Sequence, residues 1–289
     1  MKINAVVRVY LRLLSAFIAL GMLVVSGIGV YYIWEKLIFP EKELEKKIVE
    51  IRSRKKEKVD YGEQTYREAV ALLSTGALRG GVERLHELMK FYPDSQYYTE
   101  AKRVVGEINV DRLLSKSVTP GKHEYIVKGG DSLLRIAQNK QSTVGYVIHV
   151  NGRMGGGLQK GEQLVVSPLN FSVLISLSSR TLTLRTEEGN FFKEYDLVRY
   201  KIPPNSPSQF DTKVKSLVVG SGDSLLPVGS ARYVSAKKEL RCERRAVPIR
   251  SILPDSDESK YITGFFLNSD DLEELVLLVR PGMDVHVRK

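Results

Sequence analysis

The chain has 289 residues, 43% of them hydrophobic and 27% charged, with a net charge of +10 and one cysteine, Cys242. This composition excludes a disordered chain and leaves room for about two domains, while a lone cysteine excludes an internal disulfide framework and any cysteine-based metal cluster. Four scattered histidines (His86, His123, His149 and His286) leave little for a metal site, so neither metal nor cofactor is expected, and the basic balance asks for an anionic partner: nucleic acid, an acidic membrane face or an acidic wall polymer.

From Leu13 to Trp34 there is no charge for 22 residues. As a helix that run is about 33 Å long, enough for the roughly 30 Å hydrocarbon core of a bilayer. Lys2, Arg8 and Arg12 precede it without an acidic residue, and Tyr31, Tyr32 and Trp34 stand where an interfacial aromatic belt belongs. A cleaved signal peptide, with Gly27 and Gly29 before the cut, competes with this reading. The length of the run and its aromatic end favour an uncleaved anchor over residues 1–34. Both readings export the rest of the chain. Residues 35–60 hold nine Lys/Arg against seven Asp/Glu and alternate in sign, which predicts a solvated stalk.

Residues 61–117 have helical spacing. Tyr66, Ala69, Val70, Leu72 and Leu73 form one apolar stripe, and Val82, Leu85, Leu88 and Met89 form a second. Gly80-Gly81 is expected to separate these two helices, and Pro93-Asp94-Ser95 to break the chain before a third. The stretch from Arg67 to Ile108, REAVALLSTGALRGGVERLHELMKFYPDSQYYTEAKRVVGEI, resembles a tetratricopeptide-type helical repeat, above all in FYPDSQYYTEAKRVVGEI. That resemblance implies a groove for a protein partner, beside the plainer reading of a spacer. Residues 118–122 read as a linker.

In residues 123–168 a short strand at Tyr125-Ile126-Val127 leads to a Gly129-Gly130 turn, and Asp131 or Ser132 can cap a helix that ends near Gln138. Ser142 or Thr143 can cap a second helix ending at Asn151, and a glycine-rich loop leads to a last strand at Leu164-Val165-Val166. This strand–helix–helix–strand segment resembles a LysM module. The elements that carry the likeness are Tyr125-x-Val127-x-x-Gly130-Asp131-Ser132-Leu133-x-x-Ile136-Ala137, then Asn151-Gly152, then Lys160-Gly161-Glu162-Gln163-Leu164. The resemblance implies binding of N-acetylglucosamine-containing glycans such as peptidoglycan. Its groove would lie between Gly130, Asp131, Ser132 and Leu133 on one side and Met154, Gly155, Gly156, Gly157 and Leu158 on the other.

Residues 169–289 are β-rich, with alternation at Phe171, Val173, Ile175 and Leu177, then Leu182 and Leu184, then Phe191–Val198. A helix is predicted over Asp270–Val279, capped by Asn268 or Ser269, and a final strand at Val285–Val287. FSVLISLSSRTLTLRTEEGNFFKEYDL, Leu226-Pro227-Val228-Gly229 and FFLNSDDLEELVLLVRPGMDVHV resemble parts of the L,D-transpeptidase catalytic domain. The resemblance implies a Ser-x-Gly-Cys-x-Arg run just before the last helix and a His-Gly pair upstream. Here the cysteine position falls on about Gly264 and the arginine on about Phe266, and no histidine lies between Gly220 and Gly264. Cys242, among Arg241, Arg244 and Arg245, is the remaining thiol. The basic run Lys237–Arg250 can contact anionic groups or pair internally.

Together these readings predict a multidomain α+β protein: transmembrane anchor, helical bundle, βααβ LysM-type module and L,D-transpeptidase-like domain. The expected role is a single-pass bacterial envelope protein with its C-terminal domains in the periplasm. It would bind peptidoglycan as a tether or scaffold, without enzymatic activity. The alternative is an active L,D-transpeptidase or peptidoglycan-remodelling enzyme using Cys242. The membrane is a partner through residues 13–34, a protein is a candidate partner at 61–117, and nucleic acid is discarded because the charge is spread thinly along the chain.

Overall fold

A computed structural model describes residues 20–33, 46, 60–153, 157–204, 206–220, 233, 236–244, 247–252 and 262–289. The chain divides into two compact units, residues 1–60 and residues 61–289. In the first, residues 20–33 are helical, with exposed Leu, Val, Ile and Tyr side chains. Among the described residues no helix is long and apolar enough to cross a membrane. The rest of the expected span (residues 13–19 and 34) and nearly all of the stalk lie outside the described residues.

The second unit opens with three helices, α1 (Tyr61–Ser74), α2 (Leu78–Phe91) and α3 (Tyr98–Leu114). Ala69, Leu85, Leu88, Ala101 and Val105 are fully buried between them, and Tyr66 stacks on Tyr97 at 4.6 Å. The break between α1 and α2 falls at residues 75–77, not at Gly80-Gly81. Gly76 takes the left-handed conformation (φ +81°) that ends α1, which costs a glycine nothing sterically. Gly80 and Gly81 lie inside α2. A Cβ on Gly81 would sit 2.5 Å from Leu73 Cγ, so this glycine permits the close approach of the two helices.

β1 (His123–Ile126) and β2 (Gln163–Val166) pair antiparallel around α4 (Leu133–Asn139) and α5 (Val144–Val150). Of the candidate caps, Ser132 Oγ accepts from Arg135 N–H and Thr143 Oγ1 accepts from Tyr146 N–H. Asn151 pins α5 to β2: its Nδ2 donates to the Val147 and Val165 carbonyls, and its Oδ1 accepts from Val165 N–H, each at 2.8 Å.

Among the described residues the remaining strands are β3 (Phe171–Ser176), β4 (Thr181–Thr186), β5 (Phe191–Asp196), β6 (Arg199–Lys201), β7 (Phe210–Val219), β8 (Lys238–Cys242), β9 (Ile249–Ser251), β10 (Gly264–Leu267) and β11 (Asp284–Arg288). They form one nine-stranded sheet in the order β5-β4-β3-β11-β7-β8-β9-β10-β6. The β3–β11 and β9–β10 pairs are parallel and the others antiparallel. Helix α6 (Ser269–Leu278) buries Leu272, Leu275, Val276 and Leu278. Asn268 is its N-cap residue, yet its side chain makes no cap bond to a backbone N–H and instead reaches Asp271. Helices with one large mixed sheet make the unit α+β.

One hydrophobic core runs from Val110 of α3 through the βααβ segment to Val287 of β11. Thr143 Oγ1 donates to the Leu277 carbonyl at 2.6 Å, and Tyr146 Oη donates to the Leu113 carbonyl at 3.0 Å. Helix α3 is held on edge strand β5 by Lys102–Glu194 (2.5 Å), Lys193–Glu107 (2.7 Å) and Asn109 Nδ2 on the Phe192 carbonyl (2.9 Å). The stretch read as a linker takes part as well: Lys122 is buried, and its ammonium donates to the Ser115 and Ser117 carbonyls. Shared apolar burial stabilises the assembly.

Candidate functional site

The first predicted loop is built on a carboxylate. Asp131 Oδ2 accepts from Lys128 N–H and from Tyr125 Oη, both at 2.8 Å. The Lys128 amide and then the Tyr125 hydroxyl hold its carboxyl below the usual aspartate range. Gly130 stands exposed at φ +83°, and its carbonyl accepts from Arg135 Nη1 at 2.9 Å. Asp131 and Arg135 therefore fix the loop from both sides. Ser132 is spent on its helix cap. Leu133 is buried, so only its backbone can face a ligand, whereas Leu134 and Ile126 are each 58% exposed and offer the apolar surface.

On the other side, Met154, Gly155 and Gly156 lie outside the described residues. Gly157 is exposed and Leu158 packs against the core. Arg153 holds the base of this loop by pairing with Glu162 and donating to the Gly157 carbonyl. Residue-by-residue reading left out Arg153, Arg135 and Leu134, which are defined by where they sit, not by a motif.

Between α2 and α3, Leu78, Val82 and Ile108 line an apolar groove of about 510 Å³ with Arg79, Glu83 and Arg112 at its rim. It lies within the segment expected to meet a protein partner.

At the far end of the large sheet, Gly264 has φ +137°, and a Cβ there would lie 2.6 Å from the Pro248 carbonyl oxygen. The site expected for a cysteine thus has no room for any side chain. Cys242 is buried on β8 opposite Val214, and burial pushes its thiol up to about 12, so it is a thiol at neutral pH. Three cations of the basic run are paired: Lys238 with Glu273 at 2.6 Å, and both Arg241 and Arg250 with Glu239 at 3.0 Å. Arg245 and the acidic stretch 255–258 lie outside the described residues. His286 Nδ1 is 2.7 Å from Asp211 Oδ1, which also accepts from Arg288. Among the described residues no cluster of His, Cys, Asp and Glu could hold a metal ion.

No family model matches the chain, and no curated protein matches it. Solved structures similar to it include an L,D-transpeptidase in complex with imipenem (17% identity, 46% of this chain and 65% of that one, TM-score 0.29). Others are an L,D-transpeptidase from Mycobacterium smegmatis (16% identity, 47% and 65%, TM-score 0.28) and a C442S mutant L,D-transpeptidase from Enterococcus faecium (18% identity, 45% and 53%, TM-score 0.28). The chain spans less than two thirds of each, and likeness at this level bears on fold alone. The expectation of a chain without enzymatic activity is not upheld: the solved structures similar to it are those of L,D-transpeptidases.

Proposed function

We propose that this chain is a membrane-held protein of the bacterial envelope that binds peptidoglycan through a LysM-type module at residues 123–168. The observation that supports this most is the βααβ unit with its locked Lys128–Leu133 loop. Lys128 N–H, Tyr125 and Arg135 hold exposed glycine backbone in one conformation facing outward. A preorganised loop of this kind binds an amide-bearing sugar without a large ordering cost. Residues 1–34 are the anchor and 35–60 the stalk. The helices at 61–117 dock on the sheet and keep an apolar groove for a protein partner, and residues 169–289 form an L,D-transpeptidase-like domain placed against the wall.

The test is co-sedimentation of the full chain, in detergent, with purified sacculi. Wild type is expected in the pellet. Gly130→Val, which opposes the left-handed backbone, and Asp131→Ala, which releases the loop, are expected to shift it to the supernatant. Wild type remaining in the supernatant, or both variants pelleting like wild type, refutes the reading.

A further inference from the structure

A second cleft, of about 310 Å³, opens where the α4–α5 turn meets the start of β3, the end of β4 and the turn between α6 and β11. Its polar groups are positioned by one another. Arg280 Nε donates to the Leu169 carbonyl and its Nη2 to Asn170 Oδ1, both at 3.0 Å, and Asn170 Nδ2 donates to Glu187 Oε2 at 3.3 Å. The guanidinium keeps donors beyond those two. Gln141 projects from a left-handed backbone (φ +52°), an uncommon state for a residue with a Cβ. Its carbonyl is tied to Leu169 N–H at 2.8 Å, so the exposed side-chain amide starts from a fixed point. Phe171, braced by Phe192 at 4.5 Å, supplies apolar surface.

The charges of this lining nearly cancel. Arg280 faces Glu187, and the other acid, Asp284, is engaged by Lys213 at 2.7 Å. Such a cleft does not select an anion. Fixed amide, guanidinium and carboxylate groups around an aromatic edge suit a neutral ligand carrying both donors and acceptors. We infer that this cleft is a second saccharide subsite that takes an N-acetylhexosamine unit. It shares no residue with Gly130–Leu133 or Gly157–Leu158, and only its choice of ligand rests on the peptidoglycan reading.

The experiment is a titration of the full-length ¹⁵N-labelled chain in detergent micelles with chitotriose, following the amide signals of Ser172 and Gly282 for the cleft and Gly130 and Gly157 for the first groove. Saturable shifts at Ser172 and Gly282 are expected. Gln141→Gly, which keeps the left-handed turn, and Glu187→Gln, at an exposed position, are each expected to weaken them about tenfold with no change at Gly130 and Gly157. Shifts confined to Gly130 and Gly157 overturn the cleft and leave the LysM-type reading standing. Shifts confined to the cleft support it and refute that reading, and silence at both refutes both. If a stem tetrapeptide moves the cleft signals and chitotriose does not, the saccharide assignment falls.

Discussion

Replacing Tyr146 by phenylalanine tests how firmly helix α3 is tied to the βααβ segment. The Tyr146 ring is fully buried and its hydroxyl donates to the Leu113 carbonyl at 3.0 Å, in the last turn of α3 where no intrahelical donor follows. Phenylalanine fills the same space but leaves that carbonyl unpaired, at a cost of about 1–3 kcal/mol. For a unit of this size that lowers Tm by about 2–10 °C. Burial also raises the phenol from its usual 10 to about 12. A group whose folded pKa lies above its unfolded value contributes stability that is complete below pH 10 and is lost as pH rises toward 12. The phenylalanine variant does not titrate there. Calorimetry of the full chain at pH 8 and pH 11 should therefore show the deficit of Tyr146→Phe shrinking at the higher pH. A deficit equal at both pH values, or absent at pH 8, refutes the reasoning.

Three further changes have defined outcomes. Gly264→Ala places a Cβ 2.6 Å from the Pro248 carbonyl on a φ of +137°. It should cost about 3 kcal/mol in urea unfolding, and a loss under about 0.5 kcal/mol would contradict the geometry. Lys102→Met removes the cation paired with Glu194, 20% exposed, and leaves it the Thr183 hydroxyl. A loss of about 2 kcal/mol is expected, together with faster amide exchange along α3; unchanged exchange would show that this pair does not hold the helix on β5. Cys242, with its thiol near 12, should resist a disulfide reagent at pH 8 in the folded chain and react at once in denaturant. Rapid reaction in the native state would mean the thiol is accessible.

Local features were legible from the residue order because each depends on neighbours in the chain. The caps, narrowed to Asp131 or Ser132 and to Ser142 or Thr143, the strand alternation of β3 and β4 and the final helix and strand follow from short-range chemistry. The strand–helix–helix–strand order of residues 123–168 was readable for the same reason, including the glycine and aspartate of the first turn. The Gly80-Gly81 break was misread because glycine serves both turns and close helix packing, and only the position of Leu73 decides between them.

The long-range pairings were not in the residue order. Sequence alone determined the helices, the strands of the βααβ segment, β3 to β5 and β11, and that Cys242 is the sole thiol, but not the strands from β6 to β10. Tertiary structure decided that Val110 to Val287 share one core, that Lys122 is buried against Ser115 and Ser117, and that Cys242 is buried on β8 in register with Val214 of β7. It also decided that Arg280, Asn170 and Glu187, far apart in the chain, meet in one cleft. Contacts of that kind depend on how distant faces pack, and periodicity, spacing and capping carry no information about distant partners.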